Sequence, residues 1–244
     1  MLNPATRYYG ISRFVVEHWR QRSKAVFGRL ALVYNSICDN SFCVSSDKGA
    51  LCNELKISAN SRIILFVGRL DAYKGFETLL EALGPIMLQE NIVLLYVGHE
   101  DPSAKKILAS KKYNLGNEQL GGRIRFLGRR DDVPRLMASS DILVHPARSE
   151  GFGLVLAEAM AAGLPVVASN VDGIPEVLMD TDSIMIAPDD YDALCSSVLK
   201  ILSWTFEEKL VAIEKGKCRA EHFRMANRTN AMMRLFQDAI ELRF

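Results

Sequence analysis

The fold is decided by residues 142–168, which read ILVHPARSEGFGLVLAEAMAAGLPVVA. An apolar run at 142–144 precedes a polar loop with two glycines. A helix-length segment at 153–162 then leads to a second apolar run at 165–168. Short, continuously apolar runs are typical of strands that are buried on both faces of a sheet. The stretch therefore predicts a strand, a helix and a second strand parallel to the first.

The same alternation extends in both directions from about residue 61. Further strands, which we also interpret as buried on both faces, are predicted at 63–67, 92–97, 124–127 and 184–187. Further helices are predicted at 75–90, 103–112, 131–139, 173–179, 190–203, 206–222 and 227–242. Strands that alternate with helices predict an α/β fold with a doubly wound parallel sheet.

The composition excludes several classes of protein. The 244 residues are 49% hydrophobic and 24% charged, which is typical of a globular chain. Lys and Arg number 30 against 29 Asp and Glu, so a net charge of +1 does not favour a nucleic-acid partner. The five cysteines form no C-x-x-C pair and predict a reduced, cytoplasmic compartment. No apolar run is long enough to span a membrane.

A basic segment opens the chain, since six Lys and Arg residues and a single acid, Glu17, precede residue 30. This pattern leaves two interpretations open. The segment is either a solvated helix surface or a site of peripheral contact with an anionic partner, such as the inner face of a membrane.

Ligands of doubly wound sheets bind at the carboxyl ends of the strands, which directs attention to the loop at 68–75. Arg69 and Lys74 flank a turn that is bounded by Gly68 and Gly75, and a helix follows. An arginine fork and a lysine ammonium beside a helix amino terminus suit a diphosphate. Two solvent-exposed basic residues are the simpler alternative, which the sequence leaves open.

Two carboxylates lie after the strand at 142–144, Glu150 in the loop and Glu158 inside the following helix. Carboxylates accept hydrogen bonds from vicinal hydroxyls, so the pair suits two parts of one elongated ligand that carries a sugar or a ribose. The acid and base of a hydrolase remain an alternative. A dinucleotide fingerprint is disfavoured because Leu156 stands where the third glycine belongs. His145 is equally compatible with packing and with a ligand contact.

These motifs together resemble glycosyltransferase family 4 over about residues 10–240. The resemblance is carried by Gly68-Arg69-Leu70, Lys74-Gly75, Glu150-Gly151-Phe152-Gly153, Glu158-Ala159-Met160, Gly163-x-Pro165-Val166-Val167 and Val171-Asp172-Gly173-Ile174-Pro175-Glu176-Val177. It implies a GT-B fold with Rossmann-like halves, retention of anomeric configuration and a nucleoside diphosphate sugar as the donor. It also implies polysaccharide biosynthesis as the setting and no cofactor or divalent metal.

The resemblance further implies a role for each matching residue. Arg69 and Lys74 would neutralise the diphosphate, Glu150 would hold hydroxyls of the transferred sugar, and Glu158 would bind the ribose. The remaining donor contacts would come from Gly68, Gly151, Phe152, Gly153 and Leu154. With no metal implied, the pairs Asp131-Asp132 and Asp189-Asp190 are interpreted as helix-start acids that favour the positive end of the dipole.

Complete enzymes of this family have two halves of similar size, whereas about sixty residues precede the strand at 63–67. We therefore expect a remnant of the amino-terminal half and interdomain segment at 1–52, a donor-binding domain at 53–225 and an amphipathic helix at 226–244. The expected function is the donor half of a hexosyltransferase that acts on a glycan or lipid-linked acceptor. The alternative is a nucleotide-sugar-binding module without transfer activity unless a partner supplies the acceptor half. That partner would be a separate subunit or a second copy.

Overall fold

The computed structural model describes residues 6–24, 28–99 and 122–241 of the chain. The predicted helix at 103–112 lies outside these residues. The described part of the segment before the main sheet includes β1 (Tyr8–Gly10), α1 (Arg13–Arg22), β2 (Leu30–Leu32), a 3₁₀ turn (Asp39–Phe42) and α2 (Lys48–Leu55). Strands β1 and β2 pair in parallel and form a small sheet of their own.

A six-stranded parallel sheet forms the centre of the molecule. Its strands are β3 (Arg62–Val67), β4 (Ile92–Val97), β5 (Ile124–Phe126), β6 (Ile142–His145), β7 (Val166–Ser169) and β8 (Ile184–Ile186). Their order across the sheet is β5-β4-β3-β6-β7-β8, with every neighbouring pair parallel. This is the order of doubly wound nucleotide-binding sheets, and it reverses between β3 and β6. The predicted fold class is therefore confirmed.

Helices cover both faces of this sheet. They are α3 (Phe76–Gln89), α4 (Val133–Ala138), α5 (Leu154–Ala161), α6 (Ile174–Val177), α7 (Tyr191–Leu202), α8 (Phe206–Ala220) and α9 (Met225–Glu241). Because side chains alternate along a strand, Ile63 and Leu65 pack with α2, α4 and α5, whereas Ile64 and Phe66 pack with α3 and α7. Burial of one such side chain contributes about 1.5–3 kcal/mol.

The two edge strands differ from the prediction that every strand is buried on both faces. Strands β4, β6 and β7 are buried along their whole length. In β5, Arg125 and Phe126 are only partly buried, and in β8 the side chain of Met185 is 39% exposed. The reason is that an edge strand has a neighbour on one side alone.

The first helix is held against the rest of the molecule by a carboxylate of α6. Glu176 accepts hydrogen bonds from the backbone amides of Arg13 and Phe14, at 2.9 and 3.2 Å, and from the Tyr34 hydroxyl at 3.1 Å. Burial, followed by the charge of Glu176, raises the pKa of Tyr34. These contacts join the amino-terminal segment to the carboxyl-terminal part of the sheet.

The last helix presents only part of its apolar stripe to the protein. Leu235 is buried, whereas Phe236 is 56% and Ile240 57% exposed.

Within the described ranges, no helix combines the length and the apolar character that a membrane span requires.

Candidate functional site

Glu150 lies at the centre of a cluster at the carboxyl ends of β3 and β6. Its Oε2 atom accepts a hydrogen bond from Lys74 Nζ at 2.5 Å and lies 3.3 Å from His145 Nε2. Lys74 comes from the loop after β3, and Glu150 from the loop after β6. The fold therefore brings the two together at the point where strand order reverses, which is where sheets of this kind bind ligands.

Charge in this cluster is set by burial and by the three side chains themselves. Burial acts to raise the pKa of Glu150, but the hydrogen bonds from His145 and Lys74 outweigh it and lower that pKa to about 2. Burial, assisted by the positive charge of Lys74, lowers the pKa of His145. At neutral pH the carboxylate is ionised and the imidazole is neutral. Since a carboxylate only accepts hydrogen bonds, the Nε2 atom of His145 carries the proton.

A glycine allows the two loops to meet. Gly75 has φ +68°, and a Cβ atom built there would lie 1.9 Å from the carbonyl oxygen of Pro146. Any side chain would force the loops apart. Before it, the Asp71 carboxylate accepts hydrogen bonds from the amides of Tyr73 and Lys74, at 3.0 and 3.1 Å. This local turn gives Lys74 its position.

The backbone around Glu150 is held by Asp172, which the sequence analysis placed in the family pattern but did not assign to the site. Asp172 Oδ2 accepts hydrogen bonds from Ser149 Oγ at 2.6 Å and from the Glu150 amide at 2.9 Å. The amide of Gly173 donates to the Glu150 carbonyl at 3.0 Å. A short acid directly before a glycine was the available signal for such a turn.

Glu158, the second predicted acid, lies in α5. Its side chain has no hydrogen bond or ion pair within the described part of the chain, and burial raises its pKa. Glu158 shares with Lys74 and Glu150 the lining of a cleft of about 350 Å³. The other predicted donor contacts that line this cleft are Gly68, Phe152, Gly153 and Leu154.

The cleft also includes the beginning of α5. Gly153, with φ +88°, precedes the helix and offers no side-chain hydrogen bond to its first amides. Those amides carry the positive end of the helix dipole and suit an anionic group.

Arg69 is the predicted diphosphate ligand that the structure does not bring into this cluster. Its side chain is 75% exposed, pairs with Asp71 Oδ2 at 3.1 Å and does not line the cleft. Gly151 also lies outside the lining. Lys74, Glu150 and Glu158 thus converge on one cleft, whereas Arg69 lies at its exterior.

Two of the four paired aspartates, Asp132 and Asp190, lie directly before α4 and α7, as predicted for helix-start acids. Asp190 does cap α7, since its carboxylate accepts from the Ala193 amide at 2.9 Å. Asp189 instead pairs with Arg148, and the hydrogen bonds from Arg148 lower its pKa. Asp132 precedes α4 but makes no capping hydrogen bond, because its carboxylate pairs with arginines at 130 and 135.

The sequence pattern does not indicate a role for Arg148, which the structure places beside the 71–75 loop. Its Nε donates to both carboxylate oxygens of Asp189, at 3.0 and 2.9 Å, and its Nη1 donates to the Ala72 carbonyl at 2.6 Å. Its backbone amide donates to the Tyr73 carbonyl at 2.8 Å.

Within the described residues, no group of three or more His, Cys, Asp or Glu side chains is arranged to hold a metal ion.

The model of the family described as glycosyl transferases group 1 matches residues 61–203, which is more than half of the chain. The chain belongs to this family. Its match begins just before β3 and ends just after α7, so it includes every loop that contributes to the Lys74–Glu150 cluster.

Two curated relatives and one solved structure illustrate the similarity. An uncharacterized glycosyltransferase of Methanocaldococcus jannaschii is 33% identical over 190 residues, which are 75% of this chain and 47% of that protein. A phosphatidyl-myo-inositol mannosyltransferase of Mycolicibacterium smegmatis is 37% identical over 147 residues, 58% of this chain and 36% of that protein. The chain spans about half the length of such relatives or less.

The solved structure is that of Anabaena HepE in complex with UDP and glucose. It superimposes with a TM-score of 0.81 at 22% identity and covers 95% of this chain and 63% of its own. At this identity the likeness supports the fold alone.

Proposed function

We propose that this chain binds a nucleoside diphosphate sugar in the cleft between β3 and β6 and supplies the donor half of a retaining hexosyltransferase. One observation carries the proposal. An ammonium group, Lys74, and two carboxylates, Glu150 and Glu158, line the same cleft at the point where strand order reverses. A cation for phosphates and two acceptors for hydroxyls are what such a donor requires.

Each group has a place in the proposed reaction. The bond between the anomeric carbon and the diphosphate oxygen breaks, a bond forms from that carbon to an acceptor hydroxyl, and the proton of that hydroxyl passes to the departing diphosphate. Negative charge grows on the departing diphosphate, where Lys74 and the first amides of α5 stabilise it. The ionised Glu150, held by Lys74 and His145, keeps acceptor capacity on Oε1 for hydroxyls of the sugar.

Glu158 suits the opposite end of the donor. It has no partner among the described residues, so hydroxyls of a ribose would satisfy a carboxylate that burial otherwise disfavours. No step of this proposal needs a metal or another cofactor.

The relatives support the donor class. HepE is crystallised with UDP and glucose, and the mycobacterial relative is named as a mannosyltransferase that acts on a phosphatidylinositol. Both names favour a hexose donor, and the second favours a lipid-linked acceptor. All five cysteines are free thiols, in keeping with the proposed cytoplasmic location.

Isothermal calorimetry tests the proposal with UDP, GDP, ADP, their common hexose conjugates and NAD. We expect saturable binding of one nucleoside diphosphate and of its sugar conjugate, and no binding of NAD. Binding of NAD alone, or of none of these ligands, would contradict the proposal. Turnover of the bound sugar with added glycan or lipid acceptors then tests the transfer step separately from donor binding.

A further inference from the structure

We propose that Arg148 and Asp189 form a positioning clamp that holds the 71–75 loop, and through it Lys74, in the donor-diphosphate site. This inference rests on the proposed function. It assigns Arg148 a role in binding that does not require contact between its side chain and the donor.

The clamp begins with the contacts of Arg148 to the loop after β3. Its guanidinium donates to the Ala72 carbonyl at 2.6 Å, and its backbone amide donates to the Tyr73 carbonyl at 2.8 Å. These two carbonyls directly precede Lys74 in the chain. Arg148 therefore fixes the loop from the side of β6, while Asp71 fixes it from within by accepting the amides of Tyr73 and Lys74.

Asp189 fixes the guanidinium in turn. Its carboxylate accepts from Arg148 Nε at 3.0 and 2.9 Å, and Arg148 Nη2 lies 2.9 Å from Asp189 Oδ1. Thr78 Oγ1, in α3, donates to the same carboxylate at 2.6 Å. The clamp thus joins the loops that follow β3, β6 and β8, at the carboxyl ends of these strands.

Geometry distinguishes this ion pair from an ordinary surface pair. A simple exposed pair contributes little, but a bidentate arginine–carboxylate pair within a network is restricted in direction and is stronger. Both partners are partly buried, with side-chain exposures of 32% and 40%. Asp189 adopts φ +58°, a conformation that is unfavourable for a non-glycine residue, and its carboxylate is held there by Arg148 and Thr78.

Arg148 acts on Lys74 through the loop, because its side chain does not line the cleft. The loop has little freedom to adjust, since Gly75 lies against the Pro146 carbonyl. If the guanidinium is removed, the Ala72 carbonyl loses its partner and the loop loses one of the two hydrogen bonds that Arg148 donates to it. Lys74 Nζ then spends less time at the position where it meets Glu150 and the diphosphate.

A double-mutant cycle tests this relay. We use whichever of UDP, GDP and ADP the wild-type chain binds most tightly, and measure its dissociation constant for Arg148→Ala, Lys74→Ala and the double variant. We expect Arg148→Ala to weaken binding about tenfold in the wild-type background and less than about twofold when Lys74 is already absent. Equal, additive effects in both backgrounds would indicate a direct contact with the ligand and would overturn the relay.

Three further variants separate positioning from a general loss of structure. Asp189→Asn keeps the shape of the side chain, and we expect it to weaken binding in the same Lys74-dependent way. Arg148→Lys keeps the charge without the fork, so we expect an intermediate effect. Arg123→Ala is the matched control and should leave binding unchanged. Arg123 donates a hydrogen bond to Asn91 at the amino ends of β4 and β5, whereas the cleft lies at the carboxyl ends of the strands.

Amide hydrogen exchange supplies a readout that needs no ligand. In Arg148→Ala and Asp189→Asn, we expect faster exchange of the Tyr73 and Lys74 amides, with no change in Arg123→Ala. Unchanged exchange would show that the loop is not clamped. If the wild-type chain binds none of the nucleotides, the proposed function fails and the role in binding fails with it, while exchange still decides whether the clamp exists.

Discussion

Lys74 and Glu150 lie 76 positions apart in the chain and form a 2.5 Å ion pair across the switch point of the sheet. Both side chains are largely buried, with 21% and 17% exposure. The pair places two opposite charges in direct contact inside the cleft. Under the proposed function, a diphosphate bound in this cleft would share the Lys74 ammonium with Glu150.

Replacement of Lys74 tests the diphosphate site. We expect Lys74→Ala to weaken nucleoside diphosphate binding by about 1.5–3 kcal/mol, the range of a charge-assisted hydrogen bond, as measured by calorimetry. Lys215→Ala is the matched control, because Lys215 also forms an ion pair, at 2.7 Å with Asp182, away from the cleft. We expect a smaller loss for Arg69→Ala, since Arg69 is exposed and outside the lining. Wild-type affinity in Lys74→Ala would refute the assignment.

The two acids are expected to differ in ligand profile. Glu158→Gln should weaken the free nucleotide and the nucleotide sugar alike, because both contain the ribose. Glu150→Gln should weaken mainly the sugar conjugate, because Glu150 is assigned to hydroxyls of the transferred sugar. Calorimetry with both ligands and both variants checks this. Identical profiles would contradict the assignment of one acid to each end of the donor.

His145 makes stability depend on pH. Burial lowers its folded pKa below the ordinary value of 6.5, so in that window the unfolded chain binds a proton that the folded chain does not. Stability from this group is present above pH 6.5 and falls as the pH decreases towards the folded pKa. We expect the unfolding free energy to fall more between about pH 7.5 and about pH 5.5 in the wild type than in His145→Gln. Urea denaturation at each pH measures the unfolding free energy, and equal losses in the wild type and in His145→Gln would contradict the prediction.

The contact between Gly75 and Pro146 predicts a sharp contrast between two glycines. Gly75→Ala should destabilise the chain by at least about 1–2 kcal/mol, because alanine is strained at positive φ, and the clash with the Pro146 carbonyl adds to this. Gly49 lies inside α2 at an exposed position, where a Cβ atom would meet Asp47 Oδ1 at an ordinary 3.7 Å, so Gly49→Ala should stabilise by about 0.5–1 kcal/mol. Thermal denaturation distinguishes the two, and a similar response at both positions would rule out the close approach.

The central sheet could be predicted because its signal is local. The runs at 63–67 and 92–97 are apolar at every position, and strands buried on both faces require that. The burial of the edge strands was overestimated because the sequence does not state how many neighbours a strand has. Arg125 within β5 was the sign of an edge, since a charged side chain is tolerated where one flank of the strand is open.

The site was only partly predictable because its contacts join distant loops. Lys74 and Arg69 are basic residues of the same loop, so the sequence alone does not distinguish their roles. In the structure Asp71 accepts the Lys74 amide and pairs with the Arg69 guanidinium, and only Lys74 lines the cleft. Asp189 and Asp190 are adjacent and identical in type. Asp190 caps a helix because it directly precedes α7, whereas Asp189 pairs with Arg148, 41 positions away. That pairing depends on strand order, which no local pattern contains.

The contacts of Glu176 have a mechanical consequence. Glu176 lies in α6, shortly after Asp172 and Gly173, which hold the backbone of Glu150, and it binds the first amides of α1 directly. We therefore expect a displacement of α1 to reach the Glu150 loop through the Glu176 carboxylate and the short stretch of chain from Asp172 to Glu176. Such a connection would link the tilt of α1 to the position of the Glu150 carboxylate in the cleft.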